Sequence, residues 1–191
     1  MDIDRDDLQT KALTPQEAGA IINAAYSYCY HQGINDKWNL YFKILWQTGL
    51  RLSEVLLLKV SDIQPDHMTV HRLKKRKAKP EDIMWIKPNL YADIWSDIVG
   101  YGLTGRIFPN SRFAVSYVFN KLKKRTGIRS HLTVHGFRHG FAFNYFAQFG
   151  HTDQALVKLQ RWMGHENVTT TMRYLRKGVK DLKADLDLLR F

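Results

Sequence analysis

The spacing of the apolar residues changes from helical to alternating at one place in the chain. Residues 67–73 and 82–86 alternate in polarity and carry Val, Ile, Thr and Trp, which is typical of β-strands. Between them, residues 74–81 are strongly basic and predict a hairpin tip. Elsewhere the apolar residues recur at helical spacing. The sequence therefore predicts an α+β fold that is mainly α-helical, with one small antiparallel β-sheet.

Capping residues mark the helix boundaries. Thr14 precedes Pro15 and is followed three residues later by Glu17, which is the pattern of a capping box at the start of a helix. Gly33 predicts the end of that helix, and Ser53 predicts the cap of a short third helix. Further helices are predicted over residues 36–48, 55–58, 90–99, 111–125, 133–149, 152–163, 169–175 and 179–189.

The composition excludes several classes of protein. The 191 residues are 45% hydrophobic and 13% aromatic, which is typical of a globular domain and excludes a largely disordered chain. No apolar run approaches the roughly 20 residues that span a bilayer, and residues 1–10 do not resemble a signal peptide. Cys29 is the only cysteine, which excludes an intramolecular disulfide and a zinc site built from cysteines. We expect one soluble domain in a reducing compartment.

The formal net charge of +11 indicates a polyanionic partner. A strongly basic globular domain is typical of proteins that bind nucleic acid. Many basic domains are merely soluble, so the position of the charged residues is more informative than their number.

Polar residues that could take part in a chemical reaction occur in five short segments. The segments are Thr48-Gly49-Leu50-Arg51-Leu52-Ser53-Glu54, the basic run that begins at Lys74, His135-Gly136-Phe137-Arg138, Leu159-Gln160-Arg161-Trp162-Met163-Gly164-His165, and Thr169-Thr170-Thr171-Met172-Arg173-Tyr174. Two guanidiniums can hold a phosphodiester and stabilise the charge of a pentavalent transition state. A histidine can add a hydrogen bond or a proton path, a tyrosine hydroxyl can attack phosphorus, and a lysine can protonate the leaving oxygen. None of these steps demands a metal.

These segments resemble the motifs of the tyrosine recombinases, or phage integrase family, whose catalytic fold is shared with type IB topoisomerases. Arg51 lies in a T-G-L-R-x-S-E segment like the first arginine box of the family. His135 and Arg138 match its H-x-x-R pair, and the G-H dipeptide at His165, followed nine residues later by Tyr174, matches its last motif. Several motifs in the right order and spacing make the resemblance specific.

The resemblance covers residues 13–174 and implies a domain organisation. It implies an N-terminal tail of residues 1–12 and a catalytic domain over residues 13–178. For the helix predicted within residues 179–191, two interpretations stay open: packing on its own domain, or docking on a neighbouring protomer. Most family members carry an additional N-terminal domain, so this chain resembles the short fimbrial-switch recombinases or an excised catalytic domain.

The resemblance also implies the site residues. The catalytic set is Arg51, Lys74, His135, Arg138, His165 and Tyr174. Aligning the first strand of the hairpin assigns the catalytic lysine to Lys74, with Lys75 as the alternative. Lys75, Arg76 and Lys77 are implied to contact DNA. No metal and no cofactor are implied.

Some neighbouring polar residues have a structural interpretation. Arg51 could be a structural arginine paired with Glu54 or Asp62. We expect both acidic residues to orient arginines or cap helices. His139 points about 100° away from Arg138 on a helix and is predicted to be structural.

The leading functional prediction is a site-specific DNA recombinase. Tyr174 would attack the scissile phosphate and leave a 3′-phosphotyrosine, and a 5′-hydroxyl from a second duplex would resolve it through a Holliday junction. The implied partners are double-stranded DNA, three further protomers in a homotetramer on two DNA sites, and an accessory protein that stays an open question; no membrane is implied. The expected location is the nucleoid in the cytoplasm. A topoisomerase-like nicking and closing enzyme and a DNA-binding regulator with the same fold stay open as alternatives.

Overall fold

The predicted fold class is confirmed: the protein is mainly helical with a small two-stranded antiparallel sheet. The computed structural model describes residues 8–32, 37–72 and 82–175. The chain divides into two compact units, Met1–Asn144 and Tyr145–Phe191.

The first unit contains most of the secondary structure. Its helices are α1 (Leu8–Lys11), α2 (Pro15–Gln32), α3 (Trp38–Thr48), α4 (Leu52–Leu56), α5 (Pro88–Gly100), α6 (Arg112–Thr126) and the greater part of α7 (Gly136–Phe149), with a 3₁₀ turn at Val60–Asp62. Strands β1 (His67–Val70) and β2 (Asp82–Trp85) pair in antiparallel register. Met68 and Val70 lie two residues apart on β1, and Met84 lies opposite Met68 on β2. Every second residue of a strand points to the same face, so these three side chains share one face of the sheet, and that face is buried.

Helix α3 supplies much of the core of the first unit. The Phe42 ring stacks on Phe137 of α7, with the ring centroids 5.5 Å apart, and Tyr41 meets Phe108 edge-on at 5.2 Å. Burial raises the pKa of Tyr41, so the hydroxyl keeps its proton and donates to the carbonyl oxygen of Leu52 at 2.8 Å. The core helix therefore fixes the start of α4.

The capping box predicted at the start of α2 is confirmed. The Thr14 N–H donates to Glu17 Oε2 at 2.9 Å, and the Glu17 N–H donates to Thr14 Oγ1 at 3.2 Å. Arg129 donates to both carboxylate oxygens of Glu17, at 2.8 and 2.7 Å, and to the carbonyl oxygens of Thr10 and Ala12. The hydrogen bonds from Arg129 are the main reason why the pKa of Glu17 falls from 4.5 to about 2.

Helix α7 approaches the segment before α2 very closely. A Cβ atom on Gly140 would collide with the Leu13 carbonyl oxygen and would lie 2.7 Å from the Trp46 ring. A Cβ atom on Gly136 would lie 2.8 Å from the carbonyl oxygen of Lys11. The Leu13 N–H donates to the Gly136 carbonyl at 3.0 Å. Only glycine fits where the two backbones meet.

The second unit contains the end of α7 followed by α8 (Asp153–Met163) and α9 (Val168–Met172). The Thr152 side chain caps α8 by accepting the N–H of Ala155 at 3.1 Å. Gly164 ends α8 in the left-handed conformation, with φ of 62°. Burial raises the pKa of Tyr145, whose ring packs against Phe149 at a centroid distance of 4.7 Å.

Some boundaries differ from the sequence predictions. Helix α4 begins after Arg51, and not after Ser53 as predicted, because the Glu54 carboxylate turns back and accepts the Arg51 N–H. A helical turn, α1, lies within residues 1–12, for which no element was predicted, and the 3₁₀ turn was also missed. The predicted hairpin tip and the predicted C-terminal helix lie outside the described residues.

Gly140→Ala is expected to lower the free energy of unfolding by about 1–3 kcal/mol, because the new methyl group has to displace backbone. Gly19→Ala is the matched control, since Gly19 also lies inside a helix and its Cβ would meet nothing within 4 Å. The control variant is expected to gain about 0.5–1 kcal/mol from helix propensity. Urea denaturation measures both values. Equal changes in the two variants would contradict the close approach at Gly140.

Glu17→Gln is expected to flatten the acid end of the stability profile. Glu17 has its pKa lowered in the fold from 4.5 to about 2, so its stabilisation is present above pH 4.5 and is lost as the pH falls towards 2. The melting temperature of the variant should be lower at pH 7 and should fall less between about pH 5 and pH 2. The control is Glu166→Gln, which changes an exposed glutamate. Parallel profiles for the wild type and Glu17→Gln would show that the Arg129 contact is not made.

Candidate active site

A tight turn after α3 presents Arg51. Gly49 ends the helix in the left-handed conformation (φ 65°) and donates its N–H to the Leu45 carbonyl at 3.0 Å. A Cβ atom on Gly49 would lie 2.5 Å from the Phe141 ring, so both the backbone conformation and the space require glycine. Arg51 follows in extended conformation as the N-terminal cap residue of α4.

The carboxylate of Glu54 joins two arginines. Its Oε1 accepts Arg51 Nη1 at 2.8 Å, and its Oε2 accepts Arg72 Nη1 at 3.1 Å and the backbone N–H of Arg51 at 2.8 Å. Glu54 is only 1% exposed. A buried carboxylate is costly unless it is paired and hydrogen-bonded. The two guanidiniums supply that pairing.

The structural interpretation of the two acidic residues is confirmed. Glu54, and not Asp62, is the partner of Arg51. Asp62 accepts the backbone N–H of Lys59 at 2.8 Å and thereby caps the 3₁₀ turn. Each of the two carboxylates thus accepts a hydrogen bond from a backbone N–H.

Arg138 is anchored on the turn that presents Arg51. It projects from α7, is 2% exposed, and donates from Nη1 to the carbonyl oxygen of Gly49 at 2.7 Å. Gly49 lies two residues before Arg51. The turn after α3 therefore carries Arg51 and anchors Arg138. Two arginine guanidiniums can bind the oxygens of one phosphate.

His135 lies immediately before α7 and is exposed. The N–H of His139 donates to the His135 carbonyl at 3.2 Å, and the two imidazole rings meet edge-on with centroids 4.6 Å apart. His139 therefore contacts His135, one helical turn away.

The turn between α8 and α9 presents His165 in the second unit. The His165 N–H donates to the Gln160 carbonyl at 3.0 Å, and the Gly164 N–H donates to the Arg161 carbonyl at 3.1 Å. These two bonds form the Schellman motif, in which a left-handed glycine closes a helix. His165 is the first residue beyond the closed end.

Thr171 of α9 contacts both predicted site residues of the second unit. Its hydroxyl oxygen lies 2.7 Å from His165 Nδ1, and its carbonyl oxygen accepts the Tyr174 N–H at 3.0 Å. Thr171 is fully buried and Tyr174 is 5% exposed. The second unit thus places a histidine before one short helix and a tyrosine after it, both in contact with the same residue of that helix.

The predicted site residues fall into three groups. The first unit joins Arg51 and Arg138 through one turn and places His135 at the start of the helix that carries Arg138. The second unit joins His165 and Tyr174 through Thr171. The basic residues of the hairpin lie outside the described residues: Lys74, Lys75, Arg76 and Lys77.

Sequence reasoning did not assign a role to Arg72 or Thr171. An arginine at the end of an alternating strand is the signal for Arg72, and the Thr169-Thr170-Thr171 run is the signal for Thr171. Neither pattern shows which side chain is buried. Within residues 8–32, 37–72 and 82–175, no three His, Cys, Asp or Glu side chains converge as a metal site would require.

Comparison with known proteins gives the same family assignment as the motifs. The model of the Phage integrase family matches residues 11–180. The chain belongs to the phage integrase family. None of the described helices of this family member is long and apolar enough to cross a membrane.

Individual relatives and solved structures differ in how much of their own length this chain covers. The tyrosine recombinase XerC of Rickettsia peacockii (strain Rustic) is 30% identical over 151 residues, which cover 74% of this chain and 47% of that protein. The catalytic domain of bacteriophage HP1 integrase has a TM-score of 0.64 and 21% identity over 93% of this chain and 94% of that domain. The XerH site-specific recombinase bound to difH substrate has a TM-score of 0.66 and 18% identity over 93% of this chain and 54% of that chain. The two structures show that the catalytic fold is shared, and the chain spans about half the length of its XerC relative.

Glu54→Gln is expected to lower the free energy of unfolding by about 3 kcal/mol, because it removes the charge that compensates two arginines. Urea denaturation, followed by tryptophan fluorescence, measures the change. Glu166→Gln serves again as the control, because Glu166 is exposed, and it should unfold like the wild type. Wild-type stability in Glu54→Gln would show that the buried ion pairs do not support the turn.

Proposed function

We propose that the chain is the catalytic part of a site-specific DNA recombinase that works through a 3′-phosphotyrosine intermediate. The observation that carries the proposal is the pair of guanidiniums on one turn, Arg51 held by Glu54 and Arg138 held by the Gly49 carbonyl. Membership of the phage integrase family supports it independently. The net charge of +11 favours a polyanionic substrate.

In the proposed reaction the Tyr174 hydroxyl attacks the scissile phosphorus. A bond forms between the tyrosine oxygen and phosphorus, the bond from phosphorus to the 5′-oxygen breaks, and Lys74 gives a proton to the departing oxygen. Arg51 and Arg138 stabilise the charge on the non-bridging oxygens of the pentavalent state. The hydroxyl proton of Tyr174 leaves through the histidines, His135 and His165.

The second half of the proposed reaction reverses the first. A 5′-hydroxyl from a partner duplex attacks the phosphotyrosine, so a new phosphodiester forms and the tyrosine is released. The ester stores the energy of the broken bond, and the proposed cycle therefore uses neither ATP nor a metal ion. Exchange between two duplexes requires one protomer at each of four cleavage points, and the proposed assembly is therefore a homotetramer on two DNA sites. The proposed location is the nucleoid. An accessory protein that adds contacts to DNA belongs to the same proposal.

Tyr174→Phe is expected to abolish covalent trapping of DNA and to leave DNA affinity nearly unchanged, because only the hydroxyl is lost. The protein is incubated with nicked suicide duplexes tiled across its flanking genomic DNA and analysed on a denaturing gel. Tyr26→Phe is the matched control, since Tyr26 is 65% exposed and its hydroxyl has no proposed role. An SDS-resistant, protease-sensitive adduct should form in the wild type and in the control.

Three results would contradict the proposal. An adduct that persists in Tyr174→Phe would show that another residue is the nucleophile. Salt-sensitive DNA binding without an adduct in the wild type would favour a DNA-binding regulator with a recombinase fold. If adducts form and the only products are relaxed circles, the activity is that of a nicking and closing enzyme and exchange is excluded.

A further inference from the structure

A buried hydroxyl in the second unit has no part in the reaction described above. Thr171 is fully buried, although it carries a polar side chain on a helix of only five residues, α9. The two threonines that precede it, Thr169 and Thr170, are exposed. Burying a hydroxyl is unfavourable unless a partner takes up its hydrogen bond. The partner is the imidazole of His165, with Nδ1 at 2.7 Å.

The local backbone brings these two side chains together. Gly164 closes α8, and the Asn167 side chain opens α9 by accepting the Thr169 N–H at 2.9 Å. The connection between the helices is therefore short and capped at both ends. It places His165 over the helix at the position of Thr171, six residues later.

The same threonine also holds the backbone of the tyrosine segment. The Thr171 carbonyl oxygen accepts the N–H of Tyr174 at 3.0 Å. One residue thus contacts a ring nitrogen of His165 through its side chain and the Tyr174 backbone through its carbonyl. A change in its side chain tests the first contact without removing the second.

We propose that Thr171 is a positioning residue that sets the ring orientation of His165, so that Nε2 is the nitrogen that acts on the phosphate. This rests on the proposed function, in which His165 assists transfer to Tyr174. A hydrogen bond at one ring nitrogen fixes the plane of an imidazole and determines which nitrogen serves as the reacting group. Thr171 acts through His165 and does not itself touch the DNA.

The chemistry of a hydroxyl suits this position better than that of a carboxylate or a carbonyl group. A hydroxyl can donate to a bare Nδ1 and can accept from a protonated one by rotating its hydrogen. The contact therefore survives when the imidazole gains or loses a proton. A carboxylate would favour the charged ring permanently.

The first test compares rates of adduct formation on a saturating suicide duplex. Thr171→Val keeps the shape of the side chain and removes the hydroxyl, so cleavage should slow by about 10- to 100-fold, as when other orienting hydrogen bonds are removed. Thr171→Ser keeps the hydroxyl and should restore a rate close to that of the wild type. Thr170→Val is the matched control on an exposed neighbour and should cleave normally. DNA affinity should be unchanged in all three variants.

The second test reads the imidazole directly and does not need activity. Long-range ¹H–¹⁵N correlation spectra report the protonation of each ring nitrogen, and His165→Gln assigns the signals. Thr171→Val should shift the His165 ring nitrogens, whereas Thr171→Ser and Thr170→Val should not. Should Thr171→Val fail to fold, Thr171→Ala takes its place in both tests.

The outcomes separate this proposal from the proposed function. Wild-type cleavage in Thr171→Val, or a rate in Thr171→Ser as low as that in Thr171→Val, overturns the positioning role. If the wild type forms no adduct at all, the proposed function fails, and the imidazole spectrum still decides the contact. An unshifted His165 signal in Thr171→Val overturns the positioning role in that case also.

Discussion

A single buried carboxylate organises the polar part of the first unit. Glu54 accepts hydrogen bonds from the guanidiniums of Arg51 and Arg72 and from the Arg51 backbone. Arg138 reaches the same turn from α7 through the Gly49 carbonyl. A carboxylate in this place would cost several kcal/mol if it were unpaired, so the fold and the arginine positions depend on each other. Charges that are held in place beforehand need no reorganisation when a phosphate acquires negative charge.

The second unit positions its side chains with uncharged contacts. Left-handed Gly164 and the Asn167 side chain set the turn, and the Thr171 hydroxyl meets His165 Nδ1. In the proposed reaction the arginines keep their charge throughout, while His165 changes its protonation state. A buried ion pair suits a permanent charge, and a rotating hydroxyl suits a group that titrates. In the proposed mechanism the two units thus hold their reacting side chains in two ways, each suited to the chemistry of the group.

Local signals predicted a helix start where the capping residues are of the usual type. Thr14 and Glu17 lie three residues apart, so their capping box is visible in the sequence and is confirmed. The start of α4 was misplaced at Ser53, because its cap residue is Arg51, a residue type that does not usually cap helices. The Glu54 carboxylate that accepts the Arg51 N–H also pairs with Arg72, which follows β1 and lies 18 residues away. The catalytic motifs were recognisable from their spacing, and the family assignment is confirmed. The supporting contacts depend on burial and on pairing between distant residues, which a single sequence does not show.

Peptide mapping of the covalent adduct tests the proposed role of Tyr174 most directly. After trapping on a suicide duplex and digestion with nuclease and protease, mass spectrometry locates the nucleotide remnant among the nine tyrosines of the chain. The proposed mechanism predicts a remnant linked through a 3′-phosphate to the peptide that carries Tyr174. A remnant on any other residue, or a link through the 5′-phosphate, would contradict it.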